Sequence, residues 1–220
     1  MSKHTWVIIP AYNEATYLSQ VLTKLNKYWP NVVVVDDGSG DQTTTIAKIF
    51  TPHVLKHRVN LGKGAAMRTG ADYALEHLHA KAIIFFDADD QHDPAMIKPT
   101  ADALQQHPVV FGVRSFDNQM PLFRIIMNRV ASVLILLFFG RYIPDIPSGF
   151  KGLTGKAYRQ LNLQSSHYEI EMEIAARVAQ FKIPFVEIAI PTIYHDYDRG
   201  MTLLNILHMA EKIISWRFSK

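Results

Sequence analysis

The chain has 220 residues, 48% of them hydrophobic and 20% charged, which suffices for one globular domain with a sizeable core. Its formal net charge of +3 suits anionic ligands, but the lysines and arginines are scattered along the chain, so nucleic-acid binding is not expected. The chain has no cysteine, which excludes disulfides and thiolate metal sites and is typical of a reducing compartment.

The chain carries no recognisable targeting or membrane-spanning segment. The apolar run at residues 6–9 stops at Pro10, which does not match a secretory signal peptide. The longest apolar run, at residues 133–139, is far shorter than the roughly 20 residues that cross a bilayer. No repeat or linker is visible, and we predict a single domain over residues 1–220 without a transmembrane helix.

The first half of the chain alternates short apolar runs with helical patterns. Strands are predicted at residues 6–9, 32–35, 54–57 and 82–86, and helices at residues 18–25, 43–50 and 64–78. Such alternation favours a parallel sheet with helices on both faces. Ligands of these sheets bind beyond the carboxyl ends of the strands, which is where the polar clusters of this sequence lie.

The second half is less regular. Strands are predicted at residues 109–113 and 185–190, helices at residues 121–139, 171–180 and 203–218, and a loop at residues 144–152. The helices at 121–139 and 203–218 are strongly apolar. Core helices and helices lying in a membrane interface share this pattern, so packing together, a dimer contact and membrane association all stay open.

Asp87 and Asp89 directly follow the predicted strand at residues 82–86. Because strand residues alternate in direction, the two carboxylates can point the same way. Mg²⁺ and Mn²⁺ bind through one or two carboxylates and take their remaining ligands from phosphates and water. The alternative is a solvated acidic turn. His92, beside this cluster, is the one histidine that could belong to it.

Other polar segments have both a functional and an ordinary interpretation. The Asp/Gly turn at residues 36–41 could bind a nucleobase or ribose, and the glycines at residues 60–64 open a helix whose N–H groups and Lys63 could bind a phosphate. Arginines could bind anions or simply lie at the surface. The alternating glutamates at residues 169–173 are expected to form a solvated face, with room for one inward carboxylate.

Four motifs occur together: Pro10-Ala-Tyr-Asn-Glu14, Asp36-Asp-Gly-Ser39, Asn60-Leu-Gly-Lys-Gly64, and Asp87-Ala-Asp89 with Gln91. In this order and spacing they resemble the inverting family 2 glycosyltransferases with the GT-A fold, in particular the polyprenyl-phosphate sugar transferases. The resemblance covers roughly residues 5–200. It implies an α/β fold, a Rossmann-like three-layer sandwich with a mostly parallel central sheet.

The resemblance also implies roles for single residues. At the nucleotide it places Pro10, Tyr12, Glu14, Asp37, Lys63 and Asp87. At a Mg²⁺ or Mn²⁺ ion it places Asp87, Asp89 and Gln91. The resemblance places Arg114 after the next strand, and the segment at residues 145–150, with Ser148, and Arg199 near phosphate. The candidates for catalysis or for the acceptor phosphate are Asp89, Arg114, Arg129, Ser148 and Arg199, of which Arg129 is chosen as a cation that could hold that phosphate. The sequence departs from the family after Arg199, where Thr202 stands in place of a serine and no lysine follows.

The implied activity is transfer of a sugar from a nucleotide-sugar, such as GDP-mannose or UDP-glucose, to a dolichyl or undecaprenyl phosphate with inversion. The implied partners are a membrane surface and either a membrane protein or a second copy of the chain, at the cytoplasmic face of the membrane. The alternatives are a soluble family 2 enzyme acting on a glycan or protein hydroxyl, and a non-catalytic nucleotide-binding membrane scaffold.

Overall fold

The computed structural model describes residues 4–114, 122–191, 212, 213 and 215–217. Its strands are β1 (Thr5–Ala11), β2 (Val32–Asp36), β3 (Val54–Lys56), β4 (Ala82–Phe85), β5 (Val109–Arg114), β6 (Lys151–Thr154) and β7 (Phe185–Ile190). Its helices are α1 (Ala15–Tyr28), α2 (Thr43–Phe50), α3 (Lys63–His77), α4 (Ile97–Ala103), α5 (Leu122–Phe139), α6 (Gly155–Leu161) and α7 (Ile170–Gln180), with a 3₁₀ turn at Pro94–Met96.

The seven strands form one sheet in the order β3-β2-β1-β4-β6-β5-β7. Only β6 is antiparallel to its neighbours β4 and β5; the other described pairs are parallel. The mostly parallel sheet predicted from the sequence is confirmed. Its strands begin and end within a few residues of the predicted positions, with the exception of β6.

Helices cover both faces of the sheet, so the strands are buried on both sides. Ile8 of β1 packs in one core with α3, α5, α6 and α7, whereas its neighbours Val7 and Ile9 pack in a second core with α1, α2 and α4. Because both faces are covered, the strands are continuous apolar runs rather than alternating ones. This arrangement is the predicted three-layer sandwich.

The prediction of a loop at residues 144–152 is wrong at its end, because β6 begins at Lys151. The strand consists of Lys-Gly-Leu-Thr and lacks the run of β-branched or aromatic residues that indicates a strand. It forms because β4 and β5 pair with it on both sides, with Lys151 opposite Phe85 and Phe111. The Thr154 hydroxyl then caps α6 by accepting from the Ala157 N–H at 3.3 Å.

Helix α5 has an apolar surface on two sides. Met127, Ala131 and Ile135 are buried against the sheet and α7, while the opposite side exposes a stripe of apolar residues: Leu122, Ile126, Val130, Val133 and Leu137. None of the helices in the described part of the chain has both the length and the apolar character needed to span a bilayer.

The predicted helix at residues 203–218 lies largely outside the described residues. Its described part, residues 212, 213 and 215–217, is helical. Ile213 and Trp216 are buried in the core that contains α5 and α7, and the Trp216 carbonyl accepts from Gln180 Nε2 at 3.0 Å.

Candidate functional site

The loops that follow β1 and β2 are bonded to each other at the carboxyl edge of the sheet. The Asn13 N–H donates to Ser39 Oγ at 2.9 Å, and Asn13 Oδ1 accepts from the Gly40 N–H at 3.0 Å. The Glu14 N–H donates to Thr43 Oγ1 at 3.0 Å. These bonds join the first two predicted nucleotide-contacting segments into one surface.

Pro10 and Tyr12 flank Ala11, the last residue of β1. Pro10 is buried within β1, in register with Val35 of β2. The Tyr12 side chain is 47% exposed and offers an aromatic ring to a ligand at the edge. Tyr12 is therefore accessible to a nucleotide, whereas Pro10 shapes the end of the strand.

Asp37 is buried, and its carboxylate binds groups of the protein. Its Oδ1 accepts from the Leu61 N–H at 2.9 Å and lies 2.6 Å from His57 Nδ1, and its Oδ2 accepts from the Gly62 N–H at 2.8 Å. Asp37 thus organises the loop that precedes α3. The contact with a base or ribose that the resemblance implies would have to share these oxygens.

The start of α3 packs closely against the backbone of residues 165–167. A Cβ at Gly62 would overlap the Ser166 carbonyl oxygen, and one at Gly64 would meet the Ser165 carbonyl oxygen at 2.5 Å. The Ala65 N–H donates to the Ser166 carbonyl at 2.9 Å. The two glycines therefore allow two backbone segments to approach each other, a use that the sequence analysis did not consider.

Lys63, the first residue of α3, bridges two carboxylates. Its Nζ lies 2.8 Å from Asp87 Oδ1 and 2.7 Å from Glu171 Oε1. Burial alone would lower the pKa of Lys63, but the charges of Asp87 and Glu171 raise it above its ordinary value. The lysine is therefore a cation fixed inside the site, and the 78% exposed Tyr168 lies beside it with its ring centroid 5.9 Å from Nζ.

Asp87 and Asp89 follow β4 at the carboxyl edge of the sheet. Burial alone would raise the pKa of Asp87, but Lys63 holds it well below its usual range. Burial, and after it the negative charge of Asp87, raises the pKa of Asp89. His92 Nε2 lies 3.4 Å from Asp87 Oδ2, and the Gln91 N–H donates to Asp89 Oδ1 at 3.1 Å.

This set of donors fits a hard divalent cation that arrives with further ligands. Asp87 and Glu171 pair with Lys63, and Asp89 adds a third carboxyl group beside Asp87, so the acids at the site outnumber its one lysine. Within the described ranges, no three His, Cys, Asp or Glu side chains converge into a complete metal cage. Mg²⁺ and Mn²⁺ do not need one, because phosphate oxygens and water can complete their coordination.

A loop at residues 145–150, called the 145–150 loop below, packs against Asp87. A Cβ on Gly149 would overlap the Asp87 carboxylate, so only glycine allows this approach. The Ser148 side chain is buried, and its Oγ accepts from the Phe150 N–H at 3.4 Å. The resemblance places Ser148 at the acceptor phosphate, but in this structure its hydroxyl group is hydrogen-bonded within its own loop.

Arg114 is bound by the first residue of that loop. The buried Asp145 accepts from the Arg114 N–H at 2.8 Å, from its Nε at 2.9 Å and from its Nη2 at 2.6 Å. Such a two-pronged ion pair orients the guanidinium firmly. Arg114 therefore fastens the 145–150 loop to the end of β5 in this structure.

Among the described residues, Arg129 has no described contact with Asp87 and Asp89, called the acid pair below. The Arg129 side chain is exposed on α5, and Arg199 lies outside the described residues. Asp90, next to the acid pair in sequence, binds α1 instead, with Oδ2 2.7 Å from Lys24 Nζ. Its backbone has a positive φ of 60°, in the left-handed region.

Three residues near the site were not selected from the sequence. Glu171 and Glu173 are buried, so the expected solvated face is wrong: Glu171 pairs with Lys63, and Glu173 accepts from the Ser165 N–H at 2.8 Å. Lys151 is fully buried beneath the 145–150 loop. Their alternation in the sequence suggested exposure, but α7 is enclosed on nearly all sides, so the glutamates are buried with the apolar residues.

Comparison with known proteins shows which protein family has this sequence pattern. Residues 6–162 match the family model of Glycosyl transferase family 2. The chain is 31% identical to a UDP-N-acetylglucosamine–dolichyl-phosphate N-acetylglucosaminyltransferase of Methanococcus voltae, over 92% of this chain and 91% of that protein. It is 25% identical to the polyprenol monophosphomannose synthase of Mycolicibacterium smegmatis, over 98% and 87% of the two chains.

Solved structures show the same fold at lower identity. A glucosyl-3-phosphoglycerate synthase from Mycobacterium tuberculosis, solved with Mn²⁺, uridine diphosphate and phosphoglyceric acid, superimposes with a TM-score of 0.72 and 16% identity over 96% of this chain and 76% of that one. The predicted GT-A fold and the resemblance to polyprenyl-phosphate sugar transferases are thereby confirmed. The chain belongs to the family 2 glycosyltransferases.

Proposed function

We propose that this protein transfers a sugar from a nucleotide-sugar to a polyprenyl phosphate, with inversion at the anomeric carbon. The observation that carries the proposal is the acid pair of Asp87 and Asp89 beside Lys63, at the carboxyl edge of a GT-A sheet. The printed activities of the Methanococcus voltae and Mycolicibacterium smegmatis relatives support the lipid-phosphate acceptor. We also propose that residues 1–220 act as a single transferase domain.

A divalent cation would be held by Asp87 and Asp89, with Gln91 beside them. Mg²⁺ or Mn²⁺, when bound, neutralises the diphosphate and makes it a better leaving group. Around it Lys63 supplies a second, permanent positive charge toward the leaving group, and Tyr12, Glu14 and Asp37 flank the nucleotide. The relative solved with Mn²⁺ and uridine diphosphate supports a metal-dependent reaction.

The transfer is a single displacement. A phosphate oxygen of the acceptor attacks the anomeric carbon from the side opposite the diphosphate, and the bond from that carbon to the diphosphate oxygen breaks as the new bond forms. The nucleoside diphosphate leaves with the bonding electron pair. A phosphate monoester is largely dianionic at neutral pH, so no general base has to remove a proton.

The acceptor phosphate needs cations to offset its repulsion from the donor. Charge-assisted hydrogen bonds of this kind contribute about 1.5–3 kcal/mol each. Arg129 and Arg199 are the proposed contacts, together with the loop that carries Ser148. Arg114 supports them from behind, because Asp145 already occupies its guanidinium.

A membrane surface is the proposed site of action. The exposed stripe of α5, from Leu122 to Leu137, would lie in the interface with the exposed Arg129 on the same helix. An apolar helix face with cationic side chains at its border suits an anionic bilayer surface. We propose that the enzyme acts at the cytoplasmic face of the membrane, on a polyprenyl phosphate whose head group lies at that surface.

The acceptor is tested by partition of label into an organic phase. Purified protein receives radiolabelled GDP-mannose, UDP-glucose or UDP-N-acetylglucosamine with Mn²⁺, and either polyprenyl phosphate or the matching polyprenol, which lacks the phosphate. We expect one donor to give organic-soluble label with polyprenyl phosphate only. Label that enters the polyprenol equally, or that appears only on added glycans or proteins, contradicts the proposed acceptor.

Glu171 supports a second candidate, transfer to a hydroxyl. An alcohol acceptor would require a carboxylate base, and Glu171 is a buried carboxylate next to Lys63 and Asp87. For the phosphate acceptor we expect Glu171→Gln to retain transfer within about tenfold, because only the pairing with Lys63 is lost. Loss of transfer by about 10²-fold or more, with KM for the donor unchanged, would favour a base and the hydroxyl acceptor.

A further inference from the structure

Lys151 is a fully buried lysine at the start of β6, and the reaction outlined above does not use it. Its side chain extends under the 145–150 loop, where Nζ donates to the carbonyl of Ile146 at 3.0 Å and to the carbonyl of Ser148. Nζ also lies 6.0 Å from the ring centroid of Phe111. A buried ammonium is costly unless it is hydrogen-bonded, so these carbonyls and the lysine constrain each other.

The 145–150 loop above Lys151 reaches Asp87 in two ways, directly and through His92. Gly149 packs directly on the Asp87 carboxylate. The ring of Phe150 packs edge-on against His92, with centroids 5.7 Å apart, and His92 Nε2 in turn lies 3.4 Å from Asp87 Oδ2. A shift of this loop would therefore move the first proposed metal ligand.

We propose that Lys151 is a positioning residue that fixes the 145–150 loop and, through it, the carboxylate of Asp87. The inference rests on the proposed function only in that Asp87 binds the metal and the donor diphosphate. Asn128 and Arg114 hold the first residues of the loop from α5 and β5. Lys151 alone, among the described contacts, binds the loop at the carbonyl next to Gly149.

The alternative is that Lys151 only stabilises the fold. Its ammonium fills the space beneath the loop, and any buried side chain there would contribute to stability. The two roles differ in what a shape-conserving substitution does. Lys151→Met keeps most of the volume and removes the donors, so a purely structural role predicts a less stable protein with an unchanged site.

The test compares Lys151→Met with Leu25→Ala. Leu25 is fully buried in α1 within the core on the other face of the sheet, so its truncation lowers stability without touching the loop. Both folded variants are crystallised, and their affinity for Mn²⁺–UDP and Mn²⁺–GDP is measured by calorimetry. We expect Gly149 to move off Asp87 and the affinity to fall at least about tenfold in Lys151→Met alone.

Two results would overturn the proposal: a Lys151→Met structure with the loop in place, or an affinity that falls no more than in Leu25→Ala. If Lys151→Met does not fold, Lys151→Arg takes its place, because the longer side chain must push the two carbonyls apart, and the same outcomes decide. If the wild type binds neither nucleotide complex, the proposed function fails, and the position of Gly149 in the variant structure still decides the role of Lys151.

Discussion

Lys63 has carboxylate partners on both sides, at a position where its motif allowed contact with a phosphate of the nucleotide. Its salt bridges to Asp87 and Glu171 link α3, the end of β4 and α7, three elements far apart in the chain. In a complex with the donor, the diphosphate would attract the ammonium group of Lys63. The salt bridge to Glu171 would keep that ammonium group within the site. Lys63 was identifiable from its motif, but its second carboxylate was not, because Glu171 belongs to no motif.

Gly149 is the residue through which the proposed acceptor loop and the proposed donor site meet. In Gly149→Ala the added methyl group would overlap the Asp87 carboxylate and displace it from Lys63. We expect kcat/KM for transfer to fall by about 10–100-fold, as for other changes that misplace a metal ligand. Steady-state kinetics with the preferred donor measures this.

Gly152→Ala is the matched control for that substitution. Gly152 lies three residues later in β6, where a Cβ would meet side-chain carbons of Leu104 and Thr100 at 2.9 Å and not Asp87. We expect a less stable protein whose folded form keeps kcat/KM within about threefold of wild type, since overpacking away from the site acts on stability. Equal activity of both variants would show that the contact between Gly149 and Asp87 is not important.

Lys151 makes stability depend on pH. Burial lowers the pKa of Lys151 to about 8 from 10.5, although the carboxylates of Glu171 and Asp145 oppose the shift. Between these values the unfolded chain binds more protons than the folded one, so the free energy of unfolding contributed by Lys151 rises with pH over this window. Below it the lysine is charged in both states, and above it neutral in both.

Urea unfolding between pH 7.5 and 10.5 measures this dependence as the difference in the free energy of unfolding between wild type and Lys151→Met. We expect the free energy of unfolding of the wild type to rise by up to about 3 kcal/mol relative to that of the variant across the window. The other charges that face Lys151, those of Lys63 and Asp87, remain in both proteins. As a control, substitution of the exposed Lys156 by Met should leave the pH dependence of the free energy of unfolding as in the wild type. A difference between wild type and Lys151→Met that does not change with pH would contradict the lowered pKa of Lys151.

Helix α5 exposes apolar residues that the sheet cannot cover. Its buried side is occupied by Met127, Ala131 and Ile135, and the sequence pattern could not divide the helix into these two sides because nearly every position is apolar. Core packing, a dimer contact and membrane association were therefore all compatible with the sequence. The structure assigns one side to the core, and the other side remains available for a bilayer.

Leu137→Glu tests that exposed side. Leu137 is 73% exposed, so a charge there should leave the fold intact but weaken binding to vesicles that contain anionic lipid, because a carboxylate enters the interface poorly. Co-sedimentation measures the bound fraction, and we expect it to fall at least about threefold.

The matched control for the membrane surface is Ile49→Glu. Ile49 is 75% exposed but lies on α2, on the other face of the sheet. We expect this variant to bind vesicles as the wild type does. A wild-type protein that stays in the supernatant, or two variants that lose binding equally, would contradict a membrane contact through α5.

Regular elements with a strong apolar pattern were predictable, and elements fixed by their neighbours were not. The bounds of α2 and β7 agree with the prediction to the residue, since each is a continuous apolar or periodic segment. By contrast, β6 begins with a lysine and a glycine and is a strand only because β4 and β5 pair with it. The short α4 and α6 were missed as well, because few periodic positions mark them.

At the scale of the whole molecule, the sheet decides which polar residues meet. Motifs after β1, β2 and β4 lie at one edge because these strands are parallel neighbours, and this was predictable from the alternation of strands and helices. The residues that the second half of the chain adds to this edge were not predictable. The antiparallel β6 and the enclosed α7 bring Gly149 and Glu171 there from distant parts of the chain.

The central claim is that Asp87 and Asp89 hold the cation on which sugar transfer depends. It is tested most directly by transfer to polyprenyl phosphate in Asp89→Ala, beside wild type and Asp102→Ala, an exposed aspartate paired with Lys98 on α4. With Mg²⁺ or Mn²⁺ present, we expect Asp89→Ala to abolish organic-soluble label while Asp102→Ala retains it. Wild-type rates in Asp89→Ala would contradict the account.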